Sequence, residues 1–232
     1  NSNWNFEKHV YQFKIPENKS MVIKNAIEKI DFVEKPKDKI NLIYHTTPWR
    51  GLVHLLKVFK SLNSTNVVLN VCSSTIIYGK KFDSVLGKKY EGIFNECKNT
   101  KNVNYLGFLE NKKIIELLKK MHIFAHPSIW PETSCVAAIE AMAAGCETVT
   151  TNLGALYETC SPFGTFVNFD RNFDNLEKRY SKVLSNSIKN YWSDENQNKL
   201  KLQRESINAT YSWDVRSIEW KNFFNEAREL KV

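Results

Sequence analysis

Short β-rich runs alternate with helical patterns from about residue 39 onward, and this alternation constrains the fold more than any other feature. The β-rich runs are INLIYH (40–45), NVVLNVC (66–72), VNYL (103–106), HIFAHP (122–127), ETVTT (147–151) and GTFVNF (164–169). Repeated strand–helix units of this length form parallel sheets with helices on both faces and right-handed crossovers. We therefore predict an α/β fold with a Rossmann-like parallel sheet, whose ligands bind beyond the carboxyl ends of the strands.

Apolar residues recur at helical spacing in the segments between these runs. The predicted helices cover residues 51–62, 82–97, 111–121 and 134–144, and the chain after about residue 172 is also predicted to be helical. Gly145 follows the alanine-rich helix and is placed to end it as a C-cap.

The two ends of the chain differ from this central region. Residues 1–38 contain a strand-like MVI (21–23) and a polar stretch bounded by prolines, which predicts a connector between two domains. The last segment, 211–232, carries a large apolar load for a terminal helix: Trp213, Ile218, Trp220, Phe223 and Phe224. These side chains either pack into the core or dock onto a neighbouring domain. The predicted division is therefore 1–38, 39–210 and 211–232.

The formal charge of +8 and the pI of about 9.1 limit the classes of partner. A basic, solvated surface explains them without any ligand, whereas an anionic nucleotide or an acidic membrane face would also suit them. Peripheral membrane association therefore stays open as an alternative. Nucleic acid is not expected, because no run of five like charges and no helix-turn-helix or zinc-finger spacing occurs.

Cysteine usage and hydropathy indicate the compartment. No apolar run approaches the roughly 18 residues that span a bilayer, and no signal-peptide pattern begins the chain. The five cysteines are odd in number and form no CxxC pair, so we expect free thiols and a cytoplasmic location. The chain begins Asn-Ser-Asn without methionine, so we expect a piece of a longer protein or a processed product.

Several common active-site motifs are absent from the sequence. It has no GxGxxG or GxxxxGKS phosphate loop, and no GxSxG or HExxH catalytic motif. It also has no DxD pair that would clamp a divalent metal against a diphosphate, so we expect no metal. The residues that remain as candidates lie in YHTTPWRGL (44–52) and in HPSIWPETSCVAAIEAMAAGCETVTTN (126–152).

The second of these segments combines an anion site with two carboxylates. Thr133 or Ser134 is predicted to cap the helix that follows the strand, and the free N–H groups at its start attract an anion. A carboxylate beside an anion would repel it, so Glu132 must accept hydrogen bonds from neutral groups such as sugar hydroxyls. Glu140 lies roughly 9 Å along the helix, a span that suits a nucleotide sugar. In the alternative, both glutamates are partly exposed and the alanine run merely packs on the sheet.

PSIWPETSCVAAIEAMAAG resembles the E-x7-E segment of retaining glycosyltransferases of the GT-B fold, in the large family 4 group. The resemblance extends to NVNYLGFLENKKIIELLKKMHIFAHPS, to LGALYE (153–158) and to YSW (211–213), which resembles the start of the family's closing helix. Residues 2–27 resemble the end of the family's N-terminal domain and the linker that leaves it. The resemblance thus covers nearly the whole chain and implies the C-terminal, donor-binding half of a GT-B enzyme.

The resemblance implies a role for each site residue. Glu132 would contact the donor sugar and Glu140 the ribose, while Thr133, Ser134 and Cys135 would supply backbone donors to phosphate and sugar. Arg50, followed by Gly51, would neutralise the leaving diphosphate. The predicted catalytic residues are accordingly Glu132 and Arg50, and the predicted donor-binding residues are Glu140, Thr133, Ser134, Cys135, Gly51, Thr47 and Leu109.

The sequence departs from the family pattern at two places. The family usually has Gly-Arg where this chain has Tyr44-His45, and a glycine after the first glutamate where it has Ser134-Cys135. The first departure bears on how many cations hold the diphosphate, and the second on which sugars fit. The candidate region for base recognition is the loop after Leu106-Gly107. His45, His126 and Trp130 are each open to a structural role or a role as pocket wall.

The reaction implied is transfer of a sugar from a nucleotide-diphosphate sugar to the hydroxyl of a carbohydrate or glycoconjugate, with retention and without a cofactor. The acceptor half of such an enzyme, the N-terminal domain, would be missing, so this chain alone should bind donor and transfer little or nothing. The first rival is a nucleotide-sugar epimerase or phosphorylase-like enzyme on the same fold. The second is a non-catalytic module that binds sugar nucleotides.

Overall fold

The computed structural model describes residues 1–229, and six of its strands form one fully parallel sheet. The strands are β1 (Ile40–Tyr44), β2 (Val67–Val71), β3 (Val103–Tyr105), β4 (Ile123–His126), β5 (Glu147–Thr151) and β6 (Thr165–Val167). Their order is β3-β2-β1-β4-β5-β6. All six predicted β-rich runs contain a strand, and the predicted parallel sheet is confirmed.

The helices alternate with these strands. They are α1 (Asn3–Phe13), α2 (Leu52–Leu62), α3 (Lys80–Asn99), α4 (Asn111–Leu118), α5 (Val136–Ala143), α6 (Leu156–Cys160), α7 (Phe173–Asn190), α8 (Asp194–Thr210) and α9 (Trp213–Glu229). Short 3-10 turns occupy Glu17–Lys19, Pro48–Arg50 and Ile76–Tyr78. Each predicted helix is present, and the Rossmann-like α/β class is confirmed.

The sheet separates two apolar cores, because successive side chains of a strand point to opposite faces. Leu42 and Tyr44 of β1 belong to the core beneath α2 and α7, whereas Ile43 between them belongs to the core beneath α5 and α8. All three are fully buried, as expected for a parallel strand covered on both faces. Each such side chain contributes roughly 1.5–3 kcal/mol to folding.

The alanine-rich helix α5 packs closely between the sheet and α8. Ala138, Ala141 and Ala143 are completely buried, and their small side chains allow this close approach. Gly145 follows the helix with φ of 78°, a left-handed conformation that glycine adopts without strain. The predicted glycine stop is thus confirmed, and it fixes where α5 ends against β5.

Residues 14–39 contain no strand, so the strand predicted at 21–23 is wrong. This stretch instead crosses the surface of the domain, where the Ile27 amide donates to the Tyr211 carbonyl at 2.8 Å. The Ile30 amide donates to Asn208 Oδ1 at 2.8 Å. A strand needs a partner at a sheet edge, and residues 21–23 pair with no strand; the isolated bridge of Ile27 to Ser212 forms four residues later. The hydrogen bonds of Ile27 and Ile30 therefore attach this segment to the end of α8 and the residue that follows it.

Four of the five large apolar side chains predicted for α9 are exposed and the fifth, Phe223, is half-buried, so the core-packing alternative for this segment is wrong. Trp213, Ile218, Trp220 and Phe224 are 40–58% exposed, and Arg216 is the buried residue of the helix. Docking onto a neighbouring domain stays a prediction. Residues 230–232 of the predicted segment 211–232 lie outside the described residues. Within residues 1–229, no helix is both long and apolar enough to cross a bilayer.

Candidate functional site

A cleft of about 660 Å³ opens at the carboxyl edge of the sheet. It lies above β1 and β4, the neighbouring strands at which the strand order reverses. Ligands of open α/β sheets bind at this switch point. The cleft is lined by eight of the nine predicted site residues, Thr47, Arg50, Leu109, Glu132, Thr133, Ser134, Cys135 and Glu140. The ninth, Gly51, does not line it.

Arg50 and Glu132 form an ion pair at one end of the cleft. Arg50 ends the 3-10 turn that follows β1, and its Nη1 donates to Glu132 Oε2 at 2.5 Å. The Glu132 side chain is 5% exposed and the Arg50 side chain 24%. His126 Nε2 lies 3.5 Å from the other carboxylate oxygen, Oε1. Burial favours a raised pKa for Glu132, but His126 and Arg50 outweigh it and hold the pKa below its ordinary value.

Two glycines fix the backbone on either side of this ion pair. Gly51 has φ of 128°, and a Cβ atom there would lie 2.2 Å from the Pro127 carbonyl oxygen. Gly154 has φ of 67°, and its Cβ would lie 2.6 Å from the backbone nitrogen and oxygen of Glu132. Only glycine allows these close approaches. Gly51 therefore positions the loop of Arg50 without lining the cleft, and Gly154 positions Glu132.

The start of α5 lies beside the ion pair, and its first N–H groups have no acceptor within the helix. The predicted cap is wrong, because Cys135 is the N-cap residue and no side chain caps the helix. The Ser134 hydroxyl is engaged elsewhere, since it accepts from Asn25 Nδ2 at 3.1 Å, and Thr133 is exposed. The uncapped N–H groups and the helix dipole leave this end of α5 suited to an anion.

Glu140 lies in the middle of α5, at the other end of the cleft. It is 9% exposed, and its Oε1 accepts from Asn111 Nδ2 at 2.8 Å. Burial raises the pKa of Glu140, and the hydrogen bond from Asn111 opposes this shift only in part. The alternative in which both glutamates are partly exposed is wrong, because both Glu132 and Glu140 are buried.

Several cleft residues were not identified from the sequence. Asn111 begins α4, and Asn25 comes from the N-terminal segment. Tyr78 and Phe108 also line the cleft. Phe108 belongs to the loop after Leu106-Gly107, which was the candidate region for base recognition. The shared signal is position, since Tyr78, Phe108 and Asn111 follow the carboxyl ends of β2 and β3.

The two histidines and the tryptophan occupy different places. His45 lines the cleft, and burial, together with the nearby His126, lowers its pKa to about 3, so it is neutral. His126 is completely buried and stacks on Phe124. Trp130 is 49% exposed and does not line the cleft. Of the three, His45 is the one that forms a pocket wall.

The cysteines are all buried free thiols. Cys135, at the start of α5, is one of three metal-ligand side chains that converge in residues 1–229. The ligand atoms of His126, Glu132 and Cys135 lie within 4.8 Å of one another. Glu132 and Cys135 of this cluster line the cleft, whereas His126 does not.

Solved structures with the same fold are glycosyltransferases and related synthases. A glycosyltransferase of Rickettsia africae superposes with a TM-score of 0.74 at 18% identity, covering 97% of this chain and 62% of that one. Sucrose-phosphate synthase of Thermosynechococcus elongatus gives a TM-score of 0.73 at 15% identity, with coverage of 97% and 57%. Anabaena HepE in complex with UDP-glucose gives 0.62 at 14% identity, with coverage of 97% and 54%. The fold is that of a GT-B Rossmann-like domain.

Two curated relatives are longer than this chain, which aligns with only part of each. An uncharacterised glycosyltransferase of Methanocaldococcus jannaschii is 26% identical over 241 aligned residues, covering 94% of this chain and 57% of that protein. An uncharacterised 41.2 kDa protein from the cps region of Klebsiella pneumoniae is 25% identical over 171 residues, covering 67% and 43%. The chain therefore spans about half the length of the curated relatives it matches.

The family model described as "Glycosyl transferases group 1" matches residues 24–201. This match includes the whole sheet, Arg50 and both glutamates of the cleft. It also includes Asn25, the residue of the N-terminal segment that contacts the start of α5. The chain belongs to the group 1 glycosyl transferases.

Proposed function

We propose that the chain is the donor-binding half of a retaining, family 4-like glycosyltransferase. It would bind a nucleotide-diphosphate sugar, whose hexosyl group passes to an acceptor hydroxyl. One observation carries this proposal: Arg50, the start of α5, Glu132 and Glu140 all line one cleft at the switch point of the sheet. Family membership supports the reaction class.

The cleft suggests an orientation for the donor. The diphosphate would lie at the uncapped start of α5, where the backbone of Thr133 to Cys135 faces the cleft. Glu132 would accept from sugar hydroxyls, and Glu140, which lies about 6 Å along α5 from its first residue, would accept from the ribose hydroxyls. Tyr78 and Phe108 offer aromatic faces for the base. Thr47 and Leu109 complete the wall.

Donor binding has to break the ion pair between Arg50 and Glu132. Without donor, Arg50 is neutralised by the carboxylate. With donor, the diphosphate would compete for Arg50, and the sugar hydroxyls would compensate Glu132 for the lost hydrogen bond. His126, which also holds the pKa of Glu132 low, stays beside it, so Glu132 remains a carboxylate and acts as an acceptor of hydrogen bonds.

Catalysis would be mainly electrostatic. As the bond from the sugar to the phosphate breaks, negative charge grows on the diphosphate, beside Arg50 and the start of α5. Groups fixed at such a position stabilise the transition state more than the ground state. The acceptor hydroxyl would attack from the same face as the leaving group and pass its proton to a phosphate oxygen. The anomeric configuration would then be retained.

The acceptor site would belong to a second domain. The chain spans about half of its curated relatives, and the exposed apolar side chains of α9 suit docking onto that domain. We therefore expect donor binding but little transfer from this chain alone. The free thiols suit a cytoplasmic location, and the net charge of +8 leaves room for association with an acidic membrane face.

Calorimetric titration with UDP-, GDP- and ADP-sugars tests the proposal. UDP-glucose is the first probe, because the HepE structure contains it. We expect one nucleotide class to bind, and Glu140→Gln to weaken it by about 10- to 100-fold, since a charge-assisted hydrogen bond is lost. Glu116→Gln is the control, because Glu116 is an exposed glutamate on the neighbouring helix α4. Equal affinity in both variants, or no binding to any donor, would contradict the proposal.

A further inference from the structure

We propose that His126, Glu132 and Cys135 form a binding site for a divalent cation of the zinc type. Their ligand atoms converge within 4.8 Å, and the three residues are 0%, 4% and 3% exposed. His126 ends β4, and the other two belong to the turn that leads into α5. Imidazole, carboxylate and thiolate are the three ligand types that zinc takes in proteins.

The polar atoms that point into this cluster are buried without partners. Neither ring nitrogen of His126 has a hydrogen bond, and neither does Glu132 Oε1. Nε2 and Oε1 are 3.5 Å apart, a separation at which a hydrogen bond is weak. Buried polar atoms are nearly always satisfied, so unpartnered ones need an explanation, and a bound ion is one that fits this set of ligand types. A cation between them would satisfy both atoms at once.

Arg50 is the main argument against a cation here, and the geometry answers it. Arg50 donates to Oε2 of Glu132, which leaves Oε1 on the side of His126. One carboxylate can therefore bind the guanidinium through one oxygen and a metal through the other. The Glu132 carboxylate and the Cys135 thiolate would supply two negative charges. These would partly offset the positive charges of the metal ion and the Arg50 guanidinium. The Cys135 proton leaves to solvent as the sulfur–metal bond forms, and no electron transfer is needed.

The cluster also has room for a fourth ligand. Glu132 and Cys135 both line the cleft, so the open position of a tetrahedral metal would face it. With metal–ligand bonds of roughly 2.0–2.3 Å, tetrahedral ligand atoms are about 3.4–3.8 Å apart. The widest pair of ligand atoms, which is at most 4.8 Å apart, must therefore close by about 1.0–1.4 Å at most. Rotation about the side-chain bonds of Glu132 and Cys135 can supply this movement without displacing the backbone that Gly154 fixes.

The site would compete with the donor. A metal on Oε1 of Glu132 would occupy the carboxylate that would otherwise accept from sugar hydroxyls. This consequence rests on the proposed function, whereas metal binding itself does not. We infer that zinc lowers donor affinity through the same residue that the donor uses.

Cobalt titration of the metal-free chain tests the site directly. Co²⁺ bound to a thiolate gives a charge-transfer absorption in the near ultraviolet, and a tetrahedral site gives visible bands. We expect one Co²⁺ per chain with both features, and displacement by Zn²⁺. Cys135→Ser should abolish the thiolate absorption. Cys72→Ser should leave it unchanged, because Cys72 is a buried free thiol that lines the same cleft outside the cluster.

A second variant keeps the test decisive if Cys135→Ser fails to fold. His126→Gln should weaken Co²⁺ binding by at least 10-fold, with folding checked by circular dichroism. No absorption in the folded parent chain, or equal absorption after Cys135→Ser, would overturn the proposal. Donor titration with and without Zn²⁺ separates the two proposals. Cobalt binding without donor binding would overturn the donor role alone, and donor binding without cobalt binding would overturn the metal site alone.

Discussion

The two glutamates of the cleft are eight positions apart and equally enclosed, yet their electrostatic surroundings are opposite. Glu132 is 4% exposed and lies against Arg50 and His126, which hold its pKa low. Glu140 is 9% exposed, and its hydrogen-bond donor is the neutral Asn111, so burial raises its pKa. One carboxylate is charged and paired, and the other lacks a cationic partner.

This difference indicates which carboxylate supports folding and which is kept for a ligand. Removing one partner of a buried pair destabilises the fold, because the other charge is then left buried without compensation. A buried carboxylate without a cation costs stability, and such costs concentrate at functional sites. The burial of Glu140 therefore supports the proposed ligand binding more directly than the burial of Glu132 does. Glu132 has a structural role in its ion pair as well as its proposed role in the chemistry. The predictions below test this contrast, from the largest effect to the smallest.

Gly154→Ala should have the largest effect, because it displaces the paired carboxylate through the backbone. The new Cβ would lie 2.6 Å from the Glu132 nitrogen and oxygen, at φ of 67°. We expect a loss of about 3 kcal/mol in the free energy of unfolding, measured in urea. Gly92→Ala is the control, because Gly92 lies within α3 with open space around its Cβ position. That change should stabilise by about 0.5–1 kcal/mol. Equal values for the two variants would show that Glu132 is not held by its neighbour.

Glu132→Gln should destabilise the chain by about 2 kcal/mol at pH 7. It leaves the Arg50 guanidinium without its counter-charge, and a broken buried pair costs about 3–5 kcal/mol when fully enclosed. The smaller figure applies because Arg50 reaches solvent. Glu116→Gln removes an exposed pair with Lys119 and should cost less than about 0.5 kcal/mol. If the two substitutions cost the same, the ion pair in the cleft would have no special role.

The sheet could be predicted because buried parallel strands leave a strong local signal. INLIY and VVLNV are short apolar runs, and each became a central strand. The strand-like MVI carries a similar local signal but lacks a sheet edge to pair with. Local composition thus predicted a strand correctly where a neighbouring strand was present to pair with it. It predicted one wrongly at residues 21–23, where no neighbouring strand is present.

The cleft was predicted in part, for a related reason. The glutamates were identified from one continuous segment, whereas their partners come from far along the chain. Arg50 and Glu132 are separated by 82 positions, and Asn111 and Glu140 by 29. The cap prediction failed because α5 begins at Val136, which makes Cys135 the N-cap residue. The Ser134 hydroxyl instead accepts from Asn25, 109 positions away. The sequence indicated the carboxylates, and only the fold shows which of them is paired.

Asn111→Ala should have a smaller effect on the free energy of unfolding, and it acts on Glu140, the carboxylate without a cationic partner. It removes the hydrogen bond that opposes the burial of Glu140. We expect a loss of about 1 kcal/mol at pH 7 and a further rise in the pKa of Glu140. Asn104→Ala is a suitable control, since Asn104 Nδ2 donates to the neutral Asn70 Oδ1 at 3.1 Å, away from any carboxylate. Nuclear magnetic resonance of the Glu140 carboxyl during a pH titration measures the shift. An unchanged pKa would mean that Asn111 does not stabilise the charge.

Glu140→Gln should have the smallest effect, and its sign should be opposite to that of Glu132→Gln. The folded pKa of Glu140 is raised above 4.5, so its charge costs stability at neutral pH. The variant should be more stable than the parent chain at pH 7, by up to about 1 kcal/mol. This advantage should disappear as the pH falls through the raised pKa. For Glu132, whose folded pKa is lowered, the parent chain should keep its advantage above pH 4.5 and lose it only in stronger acid.

Urea unfolding of the parent chain and both glutamine variants, from neutral pH down to about pH 2, measures the two curves together. Gln retains the side-chain size and can still accept from Asn111, so the comparison isolates the charge. Stability differences with opposite signs at pH 7 would confirm that one carboxylate supports the fold and the other does not. A loss of stability for Glu140→Gln as large as that for Glu132→Gln would break the contrast. Glu140 would then be a structural residue, and its burial would no longer argue for a ligand.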